Sequence, residues 1–245
     1  MKKHIPNCIT LLNLLSGSIA TILAVQGNLI GAAFFVCLGI FFDFFDGLAA
    51  RALNVKSEVG LQLDSLADVV TSGVVPGIVM FQLLNSALPG ADAITEWSGD
   101  SNWFDFDFNP VAIFGLLIIL GSGFRLAKFN VDDRQTDSFI GLPTPANALL
   151  ILSLPLILTY QSGSFATDII LNEWFLIGLT ILSVVMLNAE LPLFALKFKQ
   201  WGFKGNEVRY IFIALCAVFL ILFQFLAIPL IILSYVLLSL IVKSK

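Results

Sequence analysis

Apolar residues run along the chain in eight blocks, each long enough to cross about 30 Å of hydrocarbon as a helix. The blocks fall near 9–26, 29–50, 63–85, 109–127, 145–161, 170–188, 208–225 and 227–242. Polar segments separate all but the last two, which form one apolar stretch that we divide near Pro229 as a helical hairpin. Lipid offers no partner to backbone N–H and C=O groups, so a spanning segment must close its own hydrogen bonds. The blocks lack the alternation of a membrane β-barrel strand. The pattern therefore predicts an all-α polytopic membrane protein, a bundle of about eight transmembrane helices forming one domain over residues 1–245. Met1 to His4 precede a long apolar run without a small-x-small cleavage signal, so the first block reads as a retained helix and His4 as a solvated terminal residue.

Composition agrees with this reading. Of 245 residues, 58% are hydrophobic and only 12% charged, whereas soluble domains carry about 25% charge. A net charge of −4 argues against a nucleic-acid partner. Cys8, Cys37 and Cys216 lie in or beside apolar runs without metal-ligand spacing and read as packing residues. The placement of charge says more than its sum. With eight spans and a cytoplasmic N-terminus, all 13 Lys and Arg fall on or beside the cytoplasmic side. The opposite loops, 86–108 and 162–169, hold Asp92, Glu96, Asp100, Asp105, Asp107 and Asp168 and no basic residue. One span over 208–242 would place Lys243 and Lys245 outside and break the rule. The aromatic residues of the first loop, Trp97 and Trp103 among them, read as an interfacial belt. The predicted location is the cell (inner) membrane, with any site at the helix ends near residues 43–68 facing the cytoplasm.

Within this apolar background the second and third blocks carry acids. Asp43, Asp46, Gly47, Ala50 and Arg51 follow helical spacing and share one face, on which Gly47 and Ala50 let a ligand approach the backbone. Asp64 and Asp68, at i and i+4, open the next block after a short turn with Ser57 and Gly60. The short connection makes the two helices antiparallel neighbours, so four carboxylates converge, with Arg51 the only basic residue expected on the facing surface. Such a charge burden in a membrane helix, about 2.5–3.5 kcal/mol per acid at mid-bilayer, marks function. Like charges at this distance require a counter-cation. Hard divalent ions such as Mg²⁺ or Mn²⁺ favour oxygen donors and complete their shells with substrate phosphates. A helix lock with Arg51 and Lys56 is the structural alternative, but two cations do not neutralise four acids.

Written out, Asp43-x2-Asp46-Gly47-x2-Ala50-Arg51-x8-Gly60-x3-Asp64-x3-Asp68 resembles the signature of the CDP-alcohol phosphotransferase family, matching eight specified residues over 26 positions. The resemblance implies displacement of CMP from a CDP-alcohol by an alcohol acceptor. It further implies that Asp43, Asp46 and Asp64 bind metal, that two ions are held, and that Asp68 is a further ligand or the general base. Gly47, Ala50, Arg51, Ser57 and Gly60 fall where the family binds the cytidine diphosphate. It also implies a homodimer.

Other segments bear on the acceptor. Arg125-Leu126-Ala127-Lys128-Phe129-Asn130, Gly141-Leu142-Pro143-Thr144-Pro145-Ala146-Asn147 and Pro6-Asn7-x2-Thr10-x2-Asn13-x3-Gly17 resemble the branch of the family that uses serine. That branch takes CDP-diacylglycerol and L-serine and yields phosphatidylserine and CMP. From the residues alone, Arg125 at a helix end is either a carboxylate or phosphate ligand or a positive-inside anchor. Asn147 is either a substrate contact or a capping and packing residue, and Asn7 and Thr10 either cap the first helix or meet the nucleotide. Glycerol phosphate or inositol phosphate is the alternative acceptor. It would want a denser basic cluster than Arg125, Lys128 and Arg134 supply. A cation transporter is the alternative class, but no internal repeat supports it.

Overall fold

A computed structural model describes residues 4–55, 57–88, 109–131, 139–193, 202 and 206–243. The aromatic belt with Trp97 and Trp103 and the basic residues Lys2, Lys3, Lys56, Arg134, Lys197, Lys199, Lys204 and Lys245 lie outside these residues. Helices α1 (Ile5–Val25) and α2 (Leu29–Ala52) form the first hairpin. The third span runs from α3 (Glu58–Asp68) through a π-helical turn, Val69–Val74, into α4 (Val75–Ala87). A 3₁₀ segment, Pro110–Leu116, leads into α5 (Leu117–Val131). Then follow β1 (Phe139–Ile140), α6 (Thr144–Tyr160), the short α7 (Ser164–Ile170), α8 (Glu173–Asn188), β2 (Pro192–Leu193), α9 (Glu207–Phe223) and α10 (Ala227–Lys243). The fold is all-α apart from the two-residue antiparallel pairing of β1 with β2.

Polar residues set the helix starts. Asn28, Ser57 and Asn172 each accept a backbone N–H from the first turn of α2, α3 and α8, occupying donors that no helical carbonyl can reach. Among the described residues five stretches are long and apolar enough to cross a membrane, namely Ile5–Val25, Leu29–Ala52, Glu58–Ala87, Pro110–Val131 and Glu207–Ile241. The apolar helices α6 and α8 are shorter, at 17 and 16 residues. This is a multi-pass membrane protein. The third span begins at Glu58 rather than 63, because the Ser57 cap starts the helix ahead of the apolar block.

The last stretch folds back on itself. Phe212 in α9 and Tyr235 in α10 have ring centroids 5.7 Å apart, whereas one straight helix would separate them by roughly 34 Å. The break is at Gln224–Leu226, between the blocks 208–225 and 227–242 and just ahead of Pro229. Gln224 takes a positive φ of 49°, and Pro229 sits in the first turn of α10, where its missing N–H costs nothing. Gln161, just past α6, clamps the reversal: its Nε2 donates to Phe223 O at 3.0 Å and its Oε1 accepts from Leu226 N at 3.0 Å.

Packing follows the logic of a membrane bundle, with small residues inside and large apolar ones facing out. Ala20, Ala24, Ala32, Ala33 and Val36 are buried where α1 meets α2. Phe34, Leu120, Phe124 and Ile221 point outward. In the third span 56% of the apolar window is buried, against 11% in Glu207–Ile241. The span carrying Asp64 and Asp68 is thus central and the final hairpin peripheral.

Replacing Gln161 with Leu removes two hydrogen bonds from the reversal, each worth about 1 kcal/mol. The expected outcome is a melting temperature several degrees lower in detergent, with the α-helical circular dichroism of the native state unchanged.

Candidate active site

The antiparallel hairpin brings the acids of α2 and α3 to similar depth. Asp43 lies roughly 13 Å from the C-terminus of α2 and Asp64 roughly 9 Å into α3. One carboxylate oxygen from each of Asp43, Asp64 and Asp68 falls within 4.8 Å of the others, and all three residues are half-buried. Asp64 Oδ1 is buried without a hydrogen-bond partner. Three hard oxygen donors converging around an orphaned carboxylate atom suit a divalent cation. These three residues are close enough to share one metal ion.

Asp46, the fourth acid, interacts electrostatically with all three, although it is not among those whose oxygens lie within 4.8 Å of one another. It is buried, and Thr10 of α1 donates its hydroxyl to Asp46 Oδ2 at 2.5 Å. Of the four acids expected to converge, three share the closest cluster and the fourth, which interacts with them, is also hydrogen-bonded to α1. Thr10 is absorbed by this contact, and its Oγ1 also lies 3.1 Å from Pro6 O.

Asn13 does the comparable work for Asp68. Its Nδ2 donates to Asp68 Oδ1 at 3.2 Å, and its Oδ1 accepts from Thr71 Oγ1 at 2.8 Å. Both Asn13 and Thr71 are fully buried. Thr71 lies in the π-helical turn that begins just after Asp68, and π turns recur at functional sites. Gly39 of α2 permits the arrangement, since a Cβ there would sit 2.8 Å from Asn13 Oδ1 and 2.7 Å from Thr71 Cγ2. From the sequence Asn13 stood out only as a position of the motif that resembles the serine-using branch, and its partner Thr71 did not stand out at all.

The remaining candidates divide between two sides of the trio. Gly47 opens onto space, with no atom nearer its would-be Cβ than Arg51 Nη2 at 3.9 Å. Arg51 is exposed and its Nε donates to Gly47 O at 3.0 Å. Ala50 is half-buried on the same turn. Ser57 Oγ accepts from Gly60 N at 2.9 Å, and a Cβ on Gly60 would lie 3.1 Å from Asn7 Oδ1. Asn7, Ser57 and Gly60 therefore adjoin one another where α1 meets the start of α3.

On the other side, Arg125 corrects two expectations. It lies within α5 rather than at its end, only 7% exposed, and it interacts electrostatically with Asp68 and with Tyr235 of α10. Arg51 is thus not the only basic residue facing the acids. Lys128 is engaged with Glu190 at 3.3 Å. Asn130 and Ser65 hydrogen-bond across α5 and α3 at 2.9 Å. Asn147 is fully buried in the first turn of α6, with neither amide atom partnered. It does not cap that helix, whose N-cap position, Pro143, makes no side-chain bond.

A profile of the CDP-alcohol phosphatidyltransferase family matches residues 3–186, which include every one of these residues except Glu190 and Tyr235. The chain belongs to that family. It is 34% identical over 151 residues to the CDP-diacylglycerol–serine O-phosphatidyltransferase of Bacillus subtilis, covering 62% of this chain and 75% of that one. It is 28% identical over 214 residues to the enzyme of the same name from Helicobacter pylori, covering 86% and 80%. An archaetidylserine synthase of Methanothermobacter thermautotrophicus is 30% identical over 165 residues, covering 66% and 62%.

Replacing Thr71 with Val keeps the shape but frees the Asn13 amide, an unmade buried hydrogen bond that costs about 1–3 kcal/mol. Gly39→Ala drives a methyl group into the same pair and costs a further 1–3 kcal/mol or so. Both should lower the thermal midpoint in detergent, whereas Gly123→Ala, with nothing within 4 Å of its Cβ, should not.

Proposed function

We propose that this protein is a CDP-diacylglycerol–serine O-phosphatidyltransferase, active at the cytoplasmic face of the cell (inner) membrane as a single-domain subunit of a homodimer. The observation that carries the reading is the convergence of Asp43, Asp64 and Asp68 around an unpartnered Asp64 oxygen. It occurs in a family member whose relatives bear that enzyme name. Asp43, Asp46, Asp64 and Asp68 would hold two divalent ions, Mn²⁺ or Mg²⁺. Bound there, the ions would supply Lewis-acid stabilisation of the pyrophosphate and of the departing CMP.

The chain's own residues do the rest. Gly47 and Ala50 leave room for the nucleotide against the α2 backbone, and Arg51 offers a planar fork to phosphate oxygens. Asn7, Ser57 and Gly60 form the neighbouring wall. The acyl chains stay in lipid. Asn13 occupies Asp68 Oδ1, leaving Oδ2 to accept the proton of the serine hydroxyl. The serine oxygen forms a new bond to the phosphorus that bears diacylglycerol, and the bond from that phosphorus to the CMP oxygen breaks. The electron pair leaves with CMP, and phosphatidylserine remains in the membrane. Arg125, buried beside Asp68, offers the charge that a serine carboxylate would meet. Among the described residues Lys128 is engaged by Glu190, which favours a zwitterionic acceptor over a phosphorylated one.

Asp64→Asn should abolish CMP release from CDP-diacylglycerol while the detergent-purified protein stays folded. Retained turnover would remove Asp64 from the metal site. Arg125→Ala should raise KM for serine tenfold or more, a loss on the order of 1.4 kcal/mol, with KM for the lipid nucleotide nearly constant. Equal loss for both substrates would contradict an acceptor role.

A further inference from the structure

Asn13 is held from both ends. Its Nδ2 donates to Asp68 Oδ1 at 3.2 Å, and its Oδ1 accepts from Thr71 Oγ1 at 2.8 Å. An ionised carboxylate only accepts, so the amide nitrogen must face Asp68 and the amide oxygen must face a donor. Thr71 is that donor, and its Oγ1 also lies 3.3 Å from Asn13 O. Neither Asn13 nor Thr71 has exposed surface, so bulk water does not reach the pair. The three groups form a directed chain, hydroxyl to amide to carboxylate. It crosses from the π turn to α1 and back to the end of α3.

The π turn decides which hydroxyl enters that chain. Thr71 and Ser72 are neighbours without exposed surface, yet Ser72 Oγ has no partner among the described residues. A π turn rotates each residue less than an α-turn does, and its phase presents Thr71 rather than Ser72 to Asn13. Gly17 and Gly39 form the notch that receives it. A Cβ on Gly17 would overlap Thr71 Oγ1, and one on Gly39 would lie 2.7 Å from Thr71 Cγ2. Gly73, two residues further on, meets Ser122 of α5 instead. An Asp carboxylate turns over a broad range about χ2, and the like charges of Asp43 and Asp64 push Asp68 away from the cluster. We infer that Thr71 is a positioning residue: acting through Asn13, it holds the Asp68 carboxylate in the acid cluster against that repulsion. The inference rests on the metal reading above. Carboxylates that bind a metal are themselves held by hydrogen bonds, and losing such a support weakens metal binding by about 10–100-fold.

The test uses the full chain in detergent and reads Mn²⁺ binding from the electron paramagnetic resonance signal of the free ion. Thr71→Val should raise the apparent dissociation constant about tenfold or more. Thr71→Ser, which keeps the hydroxyl, should stay within about threefold of the wild type, and Gln161→Leu, destabilised at the α9–α10 reversal, within about twofold. Equal affinity in Thr71→Val and the wild type overturns the inference. So does a loss in Thr71→Ser as large as in Thr71→Val, which would make shape rather than the hydroxyl the cause. The same loss in Gln161→Leu also overturns it, since general loosening would then suffice. Where Thr71→Val does not fold, Thr71→Ala takes the same reading, and a loss beyond about threefold in Thr71→Ser is decisive by itself. No Mn²⁺ binding by the wild type would remove the metal reading and this inference together. Mn²⁺ binding that ignores the Thr71 hydroxyl would remove the inference alone.

Discussion

Mutual repulsion among acids in a poorly solvated place is the constraint around which this bundle is built. Asp43, Asp64 and Asp68 present oxygens within 4.8 Å of one another on helices that otherwise face lipid or apolar neighbours. Without a counter-charge such an arrangement costs several kcal/mol and would drive the helices apart. The surroundings supply direction but little compensation. Arg125 is buried nearby, yet it interacts with only one of the three acids. The stored repulsion makes the trio a strong acceptor for a divalent cation, and it explains why an oxygen of Asp64 is left without a protein partner.

The first helix and the π turn make the arrangement definite rather than merely crowded. Thr10 draws Asp46 aside, and Asn13, held by Thr71, fixes one oxygen of Asp68. A π turn directly after Asp68 places Thr71 against α1, and Gly39 clears the space for it. Burying these amide and hydroxyl groups is costly unless each is partnered, which is why the network tolerates few exchanges. The placement of the acids on α2 and α3 therefore depends on Thr10 and Asn13 of α1, which hold two of their carboxylates.

Much of this was legible in the chain. Spacing of i+3 and i+4 is a local property, so Asp43 with Asp46 and Asp64 with Asp68 could be placed on single faces, and the short link fixed their helices as neighbours. The return of the last apolar stretch and its place near residue 226 were legible from the basic residues at its end and from Pro229, whereas the clamp was not, because it comes from Gln161, 63 positions before Gln224. Thr71 escaped notice because a π turn shifts the helical phase, and nothing in Val-Val-Thr-Ser-Gly-Val announces one. Arg125 was placed at a helix end because the block boundary was set by hydropathy at 127, whereas the helix continues to Val131 and buries the residue.

The direct test of the account is the location of the cation itself. Crystals of the protein grown with Mn²⁺ and measured at the manganese absorption edge should show an anomalous peak roughly 2 Å from carboxylate oxygens of Asp43, Asp64 and Asp68. An anomalous map with no peak there, or with those three side chains turned away from one another, would contradict it.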